Sequence, residues 1–524
     1  MQYFVNEKSD FMVKVANPTL QGFNPDPCLF RGKDSYYILV STFEFMPGIR
    51  VYQSDDLVNW RYETSILTDI DLTGNTRGCS IWAPYAAYHD GKYYVIYTDV
   101  KSTRVPYKDV NNYIITADSI NGPWSTPKYI NSSGFDPSIF FDDDGRVYFL
   151  NEYWDYRLKT HNKSAGILMQ ELDAQTLDLL GTPQILFNGT AAQKTEAPEI
   201  YRHNGYYYLL TAEGGTEAGH RVTVTRSKVI TGPYEVDPQT PMLTSKDDPT
   251  LTLQCSGHAS IVHDDDDNWY MAHLTTRPLR DDVTLLGRET AIQNVTWTAD
   301  DWLRLSNQTN QPADYYEVPV DTPVTPIQHA FDNDFGGPEL NFERWNTLRK
   351  MPTADWLQFT GTGLEIAGGQ SLQSEFDQHL VATRQTDFNF TATTTVAFNP
   401  TTYMQLAGMA LYLDIDNYLF LAVTHDEQLG RCITVLQAQK GDFQIVTDPI
   451  AIHSQDITLQ VTVNGLTGTL AFTDGEQQIT VLDNVALDFL SGGFTGNFIA
   501  LDTIDMGQYN RAKAQFKSFH YQPK

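Results

Sequence analysis

The sequence contains little cysteine and no long apolar run. Its four cysteines, Cys28, Cys79, Cys255 and Cys432, are too far apart to suggest a zinc site or a redox dithiol, and we interpret them as buried reduced thiols. Neither a basic, apolar leader nor an 18-residue apolar segment occurs, so the sequence predicts a cytoplasmic protein without a membrane span.

Positive charge is also scarce. Among 524 residues, 36 Lys and Arg stand against 65 Asp and Glu, which gives a net charge of -29. Such a field repels phosphate backbones and anionic lipids, so we expect neither nucleic acid nor membranes as partners, whereas neutral ligands such as sugars are compatible with it. Because 41% of the residues are hydrophobic and 12% are aromatic, we expect packed globular domains rather than disorder.

One phrase occurs five times in the first half of the chain: a turn rich in Asp, Gly and Asn, then aromatic residues, then an apolar strand. Its marker tyrosines lie 54 to 62 residues apart and are Tyr37, Tyr94, Tyr148, Tyr208 and Tyr270. A period of this length, filled with short strands, predicts one four-stranded sheet per repeat and hence a five-bladed β-propeller over residues 14–310. A sandwich with similar hairpins is the alternative.

The repeat is lost after Asn310. Prolines in PADYYEVPVDTPVTP favour an extended linker over residues 311–327. From 328 to 524, alternating segments such as ITLQVTVNGLTGTLAFTD are separated by Gly or Asn turns, a pattern typical of an antiparallel β-sandwich. The predicted fold class is therefore all-β, with a propeller followed by a sandwich.

A polar or aromatic residue stands 11 or 12 positions before each marker tyrosine. These residues are Asp26, Trp82, Asp136, Glu196 and His258. In a propeller the first strand of each blade lines the axis, so we expect these positions to converge. Three carboxylates in one cavity suit glycoside hydrolysis, in which one acid protonates the leaving oxygen and a carboxylate activates water. Each acid alone is compatible with a turn or a rim charge, but their common register favours catalysis.

The motifs that carry these acids resemble a known family. NPTLQGFNPDPCLF, GFDPSIFFDDDGRVYFLNEYWD, KTEAPEIY and LGRETAIQ are similar to glycoside hydrolase family 43, in the branch of β-xylosidases and α-L-arabinofuranosidases that carry a C-terminal β-sandwich. The resemblance implies an inverting hydrolase with Asp26 as general base, Glu196 as general acid and Asp136 as the residue that sets the pKa and orientation of Glu196. An inverting pair of carboxyl groups is about 6.5 to 9.5 Å apart.

The resemblance also implies residues that bind the substrate. Arg288 would bind sugar hydroxyls, although an ion pair with Glu289 or another acid is an alternative. Phe43 and Trp82 would form aromatic walls of the sugar pocket, although core packing is the usual fate of such residues. Phe498, in GGFTGNFIAL, would be delivered by the second domain to close one side of the pocket, with a place in the sandwich core as its alternative. A pocket closed on one side predicts exo action on short oligosaccharides.

The resemblance requires no cofactor for the chemistry. It allows a structural or activating divalent cation, calcium, on the propeller axis near His258, and a hydrogen-bonded core histidine is the alternative. Assembly into a homo-oligomer is an expectation from the family alone.

The chain departs from the family pattern next to the general acid. Ala197, Pro198 and Glu199 stand where the common xylosidase pattern is Gly-Pro-His, and Tyr85 follows IWAP where relatives often differ. These departures weaken a β-xylosidase interpretation, so we favour α-L-arabinofuranosidase slightly, with β-xylosidase as the close alternative. A non-catalytic carbohydrate-binding propeller and an interaction scaffold are the hypotheses of other classes.

Overall fold

The computed structural model describes residues 12–508 and 511–524, and every regular element within these ranges is a β-strand. Residues 1–11, on which part of the localisation prediction rests, lie outside the described residues. In the described part of the chain, no helix is long and apolar enough to cross a membrane.

Five antiparallel sheets, four of them with four strands and one with a short fifth strand, follow one another up to residue 305 and confirm the predicted propeller. The strands through the third blade are β1 (Val13–Ala16), β2 (Cys28–Arg31), β3 (Tyr36–Val40), β4 (Phe45–Met46), β5 (Gly48–Ser54), β6 (Arg61–Leu67), β7 (Ser80–His89), β8 (Lys92–Ser102), β9 (Asp109–Ala117), β10 (Lys128–Asn131), β11 (Ser138–Phe141), β12 (Val147–Trp154), β13 (Ser164–Leu172) and β14 (Leu179–Phe187).

The remaining propeller strands are β15 (Glu196–His203), β16 (Tyr206–Glu213), β17 (Arg221–Ser227), β18 (Glu235–Val236), β19 (Leu243–Thr244), β20 (Gln254–His263), β21 (Trp269–Thr276), β22 (Glu289–Trp297), β23 (Leu303–Leu305) and β24 (Tyr315–Val318). The blades have the strand orders β2-β3-β5-β6, β7-β8-β9-β10, β11-β12-β13-β14, β15-β16-β17-β18 and β20-β21-β22-β23, and β19 pairs with β17.

The repeated turns close hairpins between the first two strands of each blade. Asp90–Gly91 and Asn204–Gly205 both have positive φ at the two central positions, the geometry of a type I′ turn, which suits the twist of a hairpin. The marker tyrosines therefore lie on the second strand of each blade, and their rings pack into the apolar layers between blades.

Part of the predicted linker belongs to the propeller. β24 pairs antiparallel with β1, next to the contact between the fifth blade and the first. Tyr316 is 1% exposed, and its hydroxyl donates to the carbonyl of Leu57 over 2.6 Å. Chain entry and chain exit are thus fastened together before the second domain begins.

The second domain is the predicted sandwich of two antiparallel sheets. Its strands are β25 (Phe331–Asn333), β26 (Trp345–Leu348), β27 (Leu357–Phe359), β28 (Leu364–Ala367), β29 (Leu380–Arg384), β30 (Asn389–Ala397), β31 (Gln405–Asp414), β32 (Asn417–Asp426), β33 (Gly430–Gln439), β34 (Asp442–Ile445), β35 (Ile450–Ala451), β36 (Asp456–Asn464), β37 (Thr467–Asp474), β38 (Gln477–Ala486), β39 (Phe498–Asp505) and β40 (Lys513–Pro523).

One sheet has the order β27-β28-β40-β30-β36-β37-β38, with β25 also paired to β40, and the other has the order β34-β33-β32-β31-β39-β29-β26-β4, with β35 paired to β33. The strand β4 comes from the first blade of the propeller, so a propeller segment completes a sandwich sheet. The outer face of this sheet and the propeller share one apolar core, which contains Phe23, Phe45, Leu380 and Phe498. The two domains therefore pack as a single body.

Candidate active site

Each blade has a residue in the left-handed backbone region just before its first strand or near the start of it. These residues are Asp26, Ala83, Asp136, Ala197 and His258, with φ between 37° and 54°. Each lies four positions before the residue that pairs with the marker tyrosine of its blade. The common register predicted for all five site residues is therefore wrong by one position for Trp82 and Glu196, which precede the left-handed residue.

Two β-bulges bring Trp82 and Glu196 to the same end of the propeller axis. The pairing register shifts between Trp82 and Tyr85, and again between Glu196 and Glu199. A bulge inserts an extra residue and re-aims its side chain, which is why bulges are common beside active sites. The three acids therefore converge although Glu196 stands one position earlier in its blade than Asp26 and Asp136 do in theirs, because the bulge in the fourth blade re-aims its side chain.

Asp26 is almost fully buried and is held from two sides. Its Oδ2 accepts a hydrogen bond of 2.7 Å from the Ser41 hydroxyl, and its Oδ1 accepts one of 2.7 Å from Nη1 of Arg288. The same hydroxyl accepts a hydrogen bond from the backbone NH of Ala83. A hydrogen bond from a guanidinium group to a carboxyl oxygen is charge-assisted, and such bonds are shorter and stronger than those between neutral groups.

Asp136 and Glu196 share one buried electrostatic field with Asp26. The pKa of Glu196 is raised to about 7, chiefly by burial, with the charge of Lys108 opposing the rise and that of Asp26 adding to it. Burial also raises the pKa of Asp136 well above its ordinary value, with contributions from the charges of Glu196 and Asp26. The three predicted carboxyl groups therefore lie close enough to act on one another.

Sequence reasoning missed two charged residues in this field, Lys108 and Glu152. Burial lowers the pKa of Lys108, while Glu152, Glu196 and Asp136 oppose that effect in this order. Burial raises the pKa of Glu152 to about 8, and Lys108 opposes the rise. Lys108 lies in a loop without a repeat signature. Glu152 lies within the quoted segment GFDPSIFFDDDGRVYFLNEYWD, but inside a strand, where its position alone does not indicate that it faces the site.

Aromatic rings form the wall of the site. Trp82 is 7% exposed and contacts Phe43, Phe135 and Phe494 at centroid distances of 5.8, 5.7 and 5.4 Å. The ammonium group of Lys108 lies 4.0 Å from the centroid of Phe135. The predicted walls Phe43 and Trp82 are therefore in the site, and Phe135, which precedes Asp136 in the sequence, joins them.

The second domain contributes Phe494 to this wall, and the structure does not place Phe498 there. Phe498 is fully buried and stacks on Phe45 with 3.7 Å between centroids, inside the core between the domains. Phe494 is partly buried and stacks on Phe43 at 5.9 Å. Both phenylalanines belong to GGFTGNF, and in β39 the side chain of Phe498 points to the interdomain face, whereas Phe494 precedes the strand.

Arg288 links the carboxyl group of Asp26 to this aromatic segment. Besides Asp26, its Nε donates to the carbonyl of Phe494 over 3.1 Å. Its Nη2 is buried and has no hydrogen-bond partner among the described residues. Of the alternative ion pairs, the one with Glu289 is not observed, because Glu289 accepts from Arg277, whereas the one with another acid is observed, because Arg288 pairs with Asp26. Arg288 therefore presents an unused donor at the site.

The surroundings of His258 do not fit a calcium ion well. Its Nδ1 lies 3.8 Å from Oδ1 of Asp26, which Arg288 already engages. Burial lowers the pKa of His258. Burial also lowers the pKa of the neighbouring His220, to about 3. Over residues 12–508 and 511–524, no group of three His, Cys, Asp or Glu side chains is placed to hold a metal ion, whereas calcium takes six to eight oxygen ligands. A cation near His258 stays a prediction.

The two departures from the family pattern lie together in the propeller interior. Glu199 is 6% exposed and accepts a hydrogen bond from the Tyr201 hydroxyl. Burial raises the pKa of Glu199 to about 8. Its charge in turn raises the pKa of Tyr85 and of Cys28, after the larger effect of burial. Glu199 and Tyr85 thus lie near enough to each other in the propeller interior to interact electrostatically.

The site combines a hydrogen-bonded carboxylate, a second carboxyl group that keeps its proton to near neutral pH, and an apolar ring wall. An acid and a base of this kind can cleave a glycosidic bond with water. The rings match the apolar faces of a sugar, and the free donor of Arg288 matches a hydroxyl.

Comparison with known proteins agrees with this arrangement. The family model described as Glycosyl hydrolases family 43 matches residues 15–303, and the one described as Beta xylosidase C-terminal Concanavalin A-like domain matches residues 332–522. The chain is 38% identical over 538 residues to the Beta-xylosidase of Bacillus subtilis (strain 168), covering 98% of this chain and 100% of that relative.

Two further relatives have similar coverage. The Xylosidase/arabinosidase 43B of Humicola insolens is 38% identical, covering 98% of each chain. The crystal structure of the xylan beta-1,4-xylosidase from Bacillus halodurans C-125 superposes with a TM-score of 0.93 at 40% identity, covering 97% of this chain and 100% of that one. With both family models matched along its length, this chain belongs to glycoside hydrolase family 43 and is a glycoside hydrolase.

Proposed function

We propose that the protein is an exo-acting, inverting glycoside hydrolase that releases the terminal xylose from short β-1,4-linked xylo-oligosaccharides. The observation that carries this proposal is the difference between two neighbouring carboxyl groups. Asp26 accepts from Arg288 and Ser41, whereas burial keeps a proton on Glu196 up to about pH 7. A single-displacement hydrolysis requires one carboxyl group that activates water and another that keeps a proton for the leaving oxygen.

In this mechanism Asp26 takes a proton from a water molecule, which attacks the anomeric carbon on the face opposite the leaving group. Glu196 donates its proton to the glycosidic oxygen as that bond breaks. Burial and the charge of Asp26 raise the pKa of Glu196, and Asp136, whose own pKa is raised by burial and by Glu196, orients the acid. Arg288 uses its free Nη2 for a sugar hydroxyl, and the rings of Phe43, Trp82 and Phe494 close the pocket around one sugar unit.

The choice of xylose rests on two observations. Two of the three relatives reported above, at 38% and 40% identity, carry the names Beta-xylosidase and xylan beta-1,4-xylosidase. In addition, Glu199, which accepts a hydrogen bond from the Tyr201 hydroxyl, raises the pKa of Tyr85 after the larger effect of burial, so both departures from the family pattern lie in one part of the propeller interior. The initial preference for α-L-arabinofuranosidase is therefore not confirmed.

Release of α-L-arabinofuranose is the second candidate. The Humicola insolens relative is named Xylosidase/arabinosidase 43B, so both activities are attached to one protein of similar length. The two reactions need the same acid and base and differ in the shape of the sugar pocket.

The test is a comparison of kcat/KM on 4-nitrophenyl β-D-xylopyranoside and on 4-nitrophenyl α-L-arabinofuranoside, followed by NMR of the first sugar formed from xylobiose. We expect higher kcat/KM on the xyloside, with α-xylose as the first anomer. Asp26→Asn should abolish both reactions, while Asp144→Asn, a change in an exposed turn of the third blade, should leave them unchanged. Preference for the arabinoside selects the second candidate, and β-xylose as first product contradicts inversion.

A further inference from the structure

Two exposed tyrosines lie together at the same end of the propeller as the catalytic acids. Tyr107 is 61% exposed and Tyr156 is 52% exposed, and their ring centroids are 5.2 Å apart. Val105 and Leu158 beside them are also exposed, by 45% and 36%. An apolar group of this kind in water is unfavourable, and such groups often mark binding surfaces.

The topology places these rings on the face of the molecule where the site opens. The first strand of each blade starts at the catalytic residues and runs away from them, and the second strand returns. The connections between second and third strands therefore lie on the site face. Tyr107 is in the connection from β8 to β9, and Tyr156 is in the connection from β12 to β13 of the adjacent blade.

The rings continue the aromatic wall of the pocket outward. Trp82 contacts Phe135, and Phe135 contacts Trp154 with 6.3 Å between centroids. The indole NH of Trp154 donates to the carbonyl of Pro106 over 2.9 Å, which ties the Tyr107 loop to the third blade. A ligand that leaves the pocket along these rings meets the tyrosine pair next.

The loops that carry the pair are fastened to the scaffold. The backbone NH of Asp155 donates to the carbonyl of Lys163 over 2.8 Å, closing the second loop at its base. On the first loop, Lys108 follows Tyr107 directly and lies 4.3 Å from the ring centroid of Trp154. The two rings are therefore held at a fixed place relative to the pocket, as a preformed binding surface needs.

We propose that Tyr107 and Tyr156 form a stacking platform for sugar units of the oligosaccharide beyond the two that flank the cleaved bond. The rings offer apolar faces with polar hydroxyl tips, which suits a neutral sugar. This inference rests on the proposed function, because only a chain whose end occupies the pocket passes over the platform. The platform favours substrates of three or more units and does not touch a disaccharide.

The experiment compares the unaltered enzyme with Tyr107→Ala, Tyr156→Ala and the double variant on 4-nitrophenyl β-D-xylopyranoside, xylobiose, xylotriose and xylotetraose. We expect the double variant to raise KM for xylotriose and xylotetraose about three- to tenfold with kcat unchanged, the range that loss of one stacking contact gives. Values for the two shorter substrates should stay within about twofold. Tyr403→Ala, which removes a 57% exposed tyrosine of the sandwich, is the matched control.

Unchanged kinetics on xylotriose in the double variant, or an equal loss on all four substrates, would overturn the platform. Light scattering on the same samples tests the competing occupant, a second copy of this chain. A lower assembled mass in the double variant, without a change in xylotriose kinetics, would assign the rings to a subunit contact and also overturn the platform. An unaltered enzyme that turns over none of the four substrates would instead overturn the proposed function, and the platform with it.

Discussion

At the scale of single residues, the pocket holds more carboxyl groups than it can keep ionised. Burial raises the pKa of Asp136, Glu196 and Glu152; the charges of Glu196 and Glu152 add to the rise for Asp136, and the charge of Glu196 adds to it for Glu152. Lys108 is the buried cation that opposes this rise for all three. The raised pKa of Glu196 therefore comes from its surroundings as a whole.

A first prediction separates the acid from the base by the leaving group. Glu196→Gln should lower kcat about 10²- to 10⁴-fold on xylobiose but much less on 2,4-dinitrophenyl β-D-xylopyranoside, because that leaving group needs no proton. Asp26→Asn should abolish turnover of both, because water activation is needed in each case. Steady-state kinetics on the two substrates check this, and equal losses in Glu196→Gln would contradict the role of Glu196 as acid.

A second prediction concerns pH. The acid works only when protonated, so activity is present below its pKa and lost above it, and kcat/KM should fall as the pH rises through about 7. Lys108 lowers the pKa of Glu196, so removing its charge with Lys108→Met should move this basic limb to higher pH. The pH profile of kcat/KM measures the position of the limb independently of its height.

Lys101→Met is the control for that experiment, because Lys101 pairs with Asp99. Its basic limb should coincide with that of the unaltered enzyme. A limb that stays in place in Lys108→Met, or moves to lower pH, would show that another group controls the loss of activity.

At the scale of elements, the segment before β39 supplies two phenylalanines with different tasks. Phe498 lies in the strand and is fully buried, whereas Phe494 lies ahead of it against Phe43 and Trp82. The sequence GGFTGNF contains both rings at a spacing that does not tell which one faces the pocket. The position at which β39 begins, Phe498, distinguishes the two rings, because Phe498 is in the strand and Phe494 precedes it.

A third prediction follows from this division. Phe498→Ala removes a ring from a packed core and should destabilise the protein by about 3 to 5 kcal/mol, with a lower Tm. Phe494→Ala should leave Tm nearly unchanged but raise KM for xylobiose, because it opens the pocket wall. Thermal denaturation and steady-state kinetics of both variants check it. A loss of stability in Phe494→Ala that equals the loss in Phe498→Ala would contradict the division.

The blades were predictable because each repeats one hairpin, and the turn residues and alternating apolar positions of a hairpin can be recognised within a short stretch of sequence. The register of the site residues was not fully predictable. From the residue paired with the marker tyrosine to the tyrosine itself there are seven positions in the second blade, from Ala87 to Tyr94, but eight in the third, from Phe140 to Tyr148. Because the turns differ in length, counting back a fixed number of residues from the tyrosine reaches Trp82 and Glu196, one position before the left-handed residue of their blades. The bulges that bring these two side chains to the site depend on strand pairing in the folded protein.

At the scale of the whole molecule, the sandwich is part of the catalytic unit. Arg384 of β29 is buried, and it donates from Nε to the carbonyl of Phe23 over 3.0 Å and from Nη1 to Asn346 over 2.6 Å. Gly287 and Gly496 approach so closely that a Cβ on Gly287 would lie 2.5 Å from the Cα of Gly496. This contact sits between Arg288 and Phe494, so domain packing sets the geometry of the pocket directly.

A fourth prediction tests this dependence with two fragments. Residues 1–327 alone should show no activity on 4-nitrophenyl β-D-xylopyranoside, because they lose the Phe494 wall, the anchor of Arg288 and the apolar cover over Phe23 and Phe45. Coexpression with residues 328–524 should restore activity and copurification, since β4 and β26 can pair again between the fragments. The intact chain should unfold in one calorimetric transition, because a shared core couples the domains. An active propeller fragment would mean that the pocket is complete without the sandwich. Two separate transitions in the intact chain would mean that the shared core does not couple the unfolding of the two domains.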